Sequence, residues 1–101
     1  MVDRNLYTGL IRLHILHHAA EGPIFGQAMI DELGRHGYRL SAGTLYPILH
    51  GMERQGHLRS RAELAGGRKR RVYRATRTGR AALVTARKRV QELFGEMFEE
   101  H

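Results

Sequence analysis

The apolar residues of this chain change their spacing twice, and no other feature narrows its fold as far. Up to Gly56 they recur every three or four positions, as in helices with a buried face. Over residues 58–64 the period drops to two, with Leu58, Ser60, Ala62 and Leu64 alternating against Arg59, Arg61 and Glu63, which predicts a strand. From Thr78, read as a helix cap, helical spacing returns and runs to the end of the chain. With 101 residues in all, the pattern predicts one small domain, mainly helical with a little sheet. A domain of this size buries a limited fraction of its surface and often gains stability by pairing, so a dimer is expected.

The first helix, over residues 5–20, carries two apolar stripes. Leu6, Leu10, Leu13, Leu16 and Ala20 lie on one side; Tyr7, Ile11, Ile15 and His18 lie on nearly the opposite one. A helix apolar on two sides is buried twice, so the Tyr7, Ile11 and Ile15 stripe is assigned to contact with a partner. "EGP" ends this helix. A second covers residues 25–36, with Met29, Ile30 and Leu33 inward and Gly37 as its stop. Residues 37–40 form a connection of the kind that joins two helices at a steep angle. The third helix turns Leu45, Ile48, Leu49 and Met52 inward and stops at Gly56. If Thr44 caps it, Pro47 falls in the first turn, where a missing N–H costs little. If Ser41 caps it, Pro47 removes one hydrogen bond of the helix.

"AGGRKRR" and "RVYRAT" complete a hairpin around a glycine turn. Helix, helix, helix, hairpin, helix is the order of a winged helix-turn-helix with one added helix. The expected class is therefore mainly α (α+β), with a two-stranded wing and a long C-terminal dimerisation helix. Residues 1–77 are read as the DNA-binding winged helix-turn-helix and 78–101 as the dimerisation helix, in one continuous structural unit.

Lys and Arg number 17 against 10 Asp and Glu, a formal charge of +7 that favours a polyanionic partner. Arg68, Lys69, Arg70 and Arg71 follow two glycines at the expected hairpin tip, where they could track a phosphate backbone or enter a minor groove. The second helix of a helix-turn-helix reads bases from its N-terminal half. Here that half is "SAGTLYP". After Ser41, its outward face carries Gly43, Pro47, His50 and Arg54, flanked by Thr44 and Tyr46, and Gly43 and Pro47 keep its start slim and stiff. These residues, with Gly67 of the turn, form the expected site for double-stranded DNA.

"GTLYPILHGMERQGHL" followed by "GGRKRRVYRATRTGRAAL" resembles the PadR family of bacterial transcriptional regulators, and "LHILHHAAEGPIFGQAMIDEL" is similar to that family's first two helices. The resemblance covers nearly the whole chain. It implies a homodimeric winged helix-turn-helix that binds a palindromic operator, usually as a repressor, and often releases it on binding a small-molecule effector. By position it implies Thr44, Tyr46 and Pro47 at the start of the recognition helix, and Gly67 and Arg68 in the wing. The chain departs from the family pattern at Gly51, where Arg or Lys is frequent, at Lys69 in place of a frequent Pro, and at Gln27 in place of a usual Tyr. The single final helix resembles the compact branch of the family.

In that helix Leu83, Val90 and Met97 are a heptad apart, as are Ala86 and Leu93, with Phe94 and Phe98 thickening the seam. About 22 helical residues span roughly 33 Å, too long for so small a body. The seam is therefore assigned to a partner. Catalysis has little support: there is no phosphate loop, nucleophile elbow or paired-acid constellation. Without Cys there is no disulfide or thiolate site. His14 and His18, with His17 beside them, have the spacing of metal ligands, but no third ligand is evident, so no metal, cofactor or enzymatic role is expected. The start "MVDRNLYTG" does not read as a signal peptide, and no apolar stretch approaches the roughly 18 residues of a membrane span, so a cytoplasmic protein is expected. Three rivals remain: a DNA-architectural protein that binds through charge alone, an RNA-binding winged helix, and a protein-interaction module.

Overall fold

Glycine stops and one threonine cap determine how the chain turns from element to element. The structure is a computed structural model that describes residues 4–99. Its elements are α1 (Arg4–Glu21), β1 (Ile24–Phe25), α2 (Gly26–Arg35), α3 (Ala42–Arg54), β2 (Leu58–Ala65), β3 (Arg68–Ala75) and α4 (Arg77–Phe98). Helices α2 and α3 end alike. The Tyr38 N–H donates to the Leu33 carbonyl at 2.9 Å and Gly37 N–H to Gly34 at 3.1 Å. After α3, His57 N–H donates to Met52 and Gly56 N–H to Glu53, both at 3.0 Å. Each is a Schellman motif built on the glycine that the sequence marks as a stop.

The core gathers Ile11, Ile15, Leu16 and Ala19 of α1, Met29 and Leu33 of α2, and Leu45, Leu49 and Met52 of α3. Leu58, Tyr73 and Ala75 join from the sheet and Leu83 from α4. This cuts across the two stripes of α1, since Leu16 of the first is buried beside Ile11 and Ile15 of the second. Ile11 and Ile15, expected at a partner, are buried in their own domain, whereas Leu6 and Leu10 are 67% and 44% exposed. Both stripes satisfy the same helical period, so spacing alone cannot say which residues of each meet the core.

The sheet has three antiparallel strands in the order β1-β3-β2, one more than expected. Strand β1 has two residues, Ile24 facing Tyr73 and Phe25 facing Val72. So short an edge strand has no alternation to detect. Strands β2 and β3 pair from Leu58↔Ala75 to Ala65↔Arg68. They are joined by Gly66 and Gly67, whose φ values of 59° and 76° are those of a type I′ turn, open to glycine at both positions.

The hairpin closes at Thr76. Its N–H donates to the His57 carbonyl at 3.0 Å and its hydroxyl to the Gly56 carbonyl at 2.5 Å, while the same oxygen accepts from the Gly79 N–H at 2.9 Å. Thr76 is thus the cap of α4, two residues before the expected Thr78. Gly79 packs directly on the strand start: a Cβ there would lie 2.1 Å from the His57 carbonyl oxygen. That oxygen is backbone and is held by Thr76, so it cannot swing aside. Gly79→Ala should therefore destabilise the chain by about 1–3 kcal/mol, the usual cost of overpacking. Urea unfolding will measure it, and an unchanged midpoint would mean that the contact yields.

Candidate nucleic-acid interface

Helix α3 begins with Ser41 as its N-cap residue, which decides between the two starts the sequence leaves open. Pro47 is therefore inside the helix, and with no N–H it cannot donate to the Gly43 carbonyl. The Ser41 hydroxyl does not cap the helix. It donates instead to the Thr44 hydroxyl at 3.3 Å, while the Ser41 carbonyl accepts from the N–H groups of Thr44 and Leu45. Two hydroxyls thus stand at the exposed start of the helix, beside first-turn N–H groups that have no acceptor in the preceding turn.

Ser41, Gly43, Thr44, Pro47, His50 and Arg54 are all exposed, with Leu45, Leu49 and Met52 buried behind them. Tyr46 is different. The helical pattern puts it beside the outward face, but its side chain is half-buried against the core, and a Cβ on Gly26 would lie 2.1 Å from its hydroxyl oxygen. The ring lies over the first residue of α2 and helps fix one helix against the other. Tyr46 thus packs one helix on the other rather than standing fully open on the outward face.

The basic run is also placed differently from the expectation. Arg68, Lys69, Arg70 and Arg71 belong to β3, and only Gly66 and Gly67 form the tip. The cations therefore alternate between two faces of a paired ribbon. Arg71 donates to the Ser60 hydroxyl at 3.1 Å, and Ser60 donates to the Glu53 carboxylate of α3 at 2.8 Å. This relay ties the ribbon to the candidate reading helix. On the other face Arg70 approaches the Phe25 ring at 6.0 Å, the outer limit of a cation–π contact.

Arg59 and Arg61 occupy β2 positions of that same face, and both are exposed. They are absent from the expected site, although their alternation with Leu58 and Ser60 already signals an outward strand face. Glu63 lies among them, 2.8 Å from Arg74 and 3.5 Å from Arg61. The Arg74 hydrogen bond chiefly holds the Glu63 carboxyl below its ordinary value, so it stays ionised and offsets part of the positive field. Any stability from this pair is present above the ordinary carboxylate range and is lost as pH falls through the lowered pKa.

The residues assigned to a dimer seam separate into two groups. Leu83 is buried in the core with Ile11 and Ile15, and Ala86 is half-buried. Val90, Leu93, Phe94, Met97 and Phe98 are 47–69% exposed, and Tyr7 is 42% exposed with its ring edge-on to Tyr38. Between α1 and α4 runs a groove of about 760 Å³ lined by Leu10, Leu13, Val84, Val90 and Phe94 among others. No helix among the described residues is long and apolar enough to cross a membrane.

This architecture is found in known proteins. Residues 15–85 match the Transcriptional regulator PadR-like family. The chain is 51% identical over 94 residues to the Transcriptional regulator Rv3488 of Mycobacterium tuberculosis, covering 93% of this chain and 88% of that protein. It is similar to the crystal structure of a PadR family transcriptional regulator from Eggerthella lenta, with a TM-score of 0.76 at 30% identity, covering 96% of this chain and 88% of that one. A Streptococcus transcriptional regulator shares the fold at a TM-score of 0.82 and 18% identity, covering 94% of each chain.

The placement of Tyr46 and His50 predicts opposite behaviour on truncation. Tyr46→Ala should cost about 2–4 kcal/mol, as for a large side chain removed from a packed contact, whereas His50→Ala should change stability by less than about 0.5 kcal/mol. Thermal and urea melts of the two variants will show the difference, and equal losses would mean that Tyr46 contributes little to packing.

Proposed function

The chain belongs to the PadR-like family of transcriptional regulators, and on that footing we propose that it acts as a homodimeric, sequence-specific repressor. It grips a palindromic DNA operator and releases it when a small-molecule effector binds. The observation that carries the reading is the pairing of an exposed, acid-poor helix start with a ribbon of cations tied to the same helix through Glu53, Ser60 and Arg71. In the proposed complex Ser41, Thr44, His50 and Arg54 meet base edges and flanking phosphates in the major groove, with Gly43 and Pro47 allowing close approach. Arg68, Lys69 and Arg70, together with Arg59 and Arg61, hold the backbone or minor groove beside it. Gly67 turns the ribbon, and Arg71 positions it.

The dimer is proposed to form through the outer half of α4, which lies against the groove of the second copy and meets Leu6, Tyr7 and Leu10 of its α1. Exposed Val90, Leu93, Phe94, Met97 and Phe98 supply the apolar contact. Arg87, Lys88 and Arg89 precede Glu92, Glu96 and Glu99 along the helix, an order that opposes the helix dipole. An antiparallel partner sets the basic stretch of one copy against the acidic stretch of the other. An effector entering this seam would shift the two α3 helices relative to each other, which is how a ligand could loosen the grip on two half-sites.

Two experiments test the reading. Lys69→Ala with Arg70→Ala should weaken binding to operator and random duplex by similar factors and flatten the salt dependence, by about 0.9 in log–log slope per lost phosphate contact. His50→Ala should weaken the operator selectively, by about 1–3 kcal/mol. Competition anisotropy at one salt concentration separates the two effects. If His50→Ala loses both duplexes equally, charge-driven architectural binding becomes the better account. For assembly, Leu93→Glu with Met97→Glu should yield a folded monomer in sedimentation velocity, because both residues lie beyond the part of α4 that joins the core. A persistent dimer would place the interface elsewhere.

A further inference from the structure

Four side chains kept apart in the sequence meet where α1 crosses the end of α2. His14 and His18 stand one turn apart on α1, Glu32 lies on α2, and His36 is the residue that ends α2. One ring nitrogen from each of His14, His18 and His36 can be chosen so that all three lie within 4.8 Å of one another. The His14 and His36 rings are stacked, with centroids 4.9 Å apart. One carboxylate oxygen of Glu32 is 2.9 Å from His36 Nε2 and 3.6 Å from His18 Nε2. Arg35 holds the other oxygen at 2.6 Å, which turns the free edge of the carboxylate toward the histidines. His36 itself is fixed by the helix end, its N–H donating to the Leu33 carbonyl at 3.0 Å.

We propose that His14, His18, His36 and Glu32 bind one divalent transition-metal ion of the zinc, cobalt or nickel kind. Three imidazoles and a carboxylate form a borderline donor set suited to such ions, and the chain has no Cys to favour softer ones. Zinc–nitrogen bonds of about 2.0–2.1 Å put tetrahedral ligand atoms roughly 3.3 Å apart, so the rings close inward by side-chain rotation on binding. The Arg35 contact is of the kind that orients a ligating carboxylate from behind. Burial first, and then the neighbouring His36, His18 and His17, push the His14 pKa below its ordinary value. Only the fold brings His36 and Glu32 to the histidines of α1. A second grouping, His17, His18 and Glu21, lies wholly on α1 and joins no second helix.

An ion held by both helices binds the native chain better than the unfolded one and raises its melting temperature. The test uses the full-length chain without a histidine tag, titrated with zinc chloride by calorimetry and melted with and without zinc. We expect one ion per chain, a rise in melting temperature, and at least a tenfold loss of affinity in His14→Ala and in His36→Ala. His17→Ala should bind zinc as the parent does. Because His36 is exposed, its removal should leave the far-ultraviolet circular dichroism unchanged, which separates a lost ligand from a lost fold. Cobalt(II) in place of zinc should show visible d–d bands that disappear in His36→Ala. Stoichiometry well below one, unchanged affinity in His36→Ala, or loss in His17→Ala instead, would each overturn the proposal.

Discussion

The hydrogen bonds at Thr76 join three parts of this chain that would otherwise move independently. Its N–H closes the base of the ribbon on the His57 carbonyl, its hydroxyl reaches the glycine that stops α3, and the same oxygen caps α4. A hydroxyl can donate once and accept twice, and here it bridges two elements that must keep a fixed relation. Gly79 allows the approach because any side chain would strike the His57 backbone. The orientation of the basic ribbon relative to α3, and the direction in which α4 leaves the body, both follow from this junction.

From there the structure separates its surfaces by chemistry. The exposed start of α3 and the ribbon form a face rich in hydroxyls and guanidinium groups, in which Glu63 is held by Arg74 and Glu53 is occupied by Ser60. The outer half of α4 carries the opposite character, apolar residues with an acidic end, and extends the molecule to 55 Å in its long dimension. Two cross-links hold the body between them. Arg80 donates to the Ala20 carbonyl at the end of α1, and Arg12 of α1 donates to Gln55 at the end of α3. Helix α1 thus touches the frame of both surfaces.

Much of this was legible in the residues. Elements with a strong period were found with their inward residues: Leu45, Leu49 and Met52 of α3, and the alternation of β2 from Leu58. Glycines marked both helix ends because only there does the backbone take a positive φ within a Schellman motif. The misses have a common cause. Strand β1 exists only because β3 offers it hydrogen bonds, Tyr46 turns inward only because Gly26 leaves room, and Arg68–Arg71 are held in a strand only by pairing across the ribbon. None of these partners is a sequence neighbour.

What the sequence determined by itself is local: which segments are helical or extended, where they stop, and that positive charge gathers at "GGRKRR", since period, glycine placement and charge act within a few residues of chain. The tertiary structure decided which residues of the two apolar stripes on α1 meet the core, where Leu83 is buried, and that His36 and Glu32 come to the histidines of α1. The physical reason is that burial and coordination depend on which surfaces meet. A helix carries the same periodic pattern whichever of its faces the rest of the chain covers.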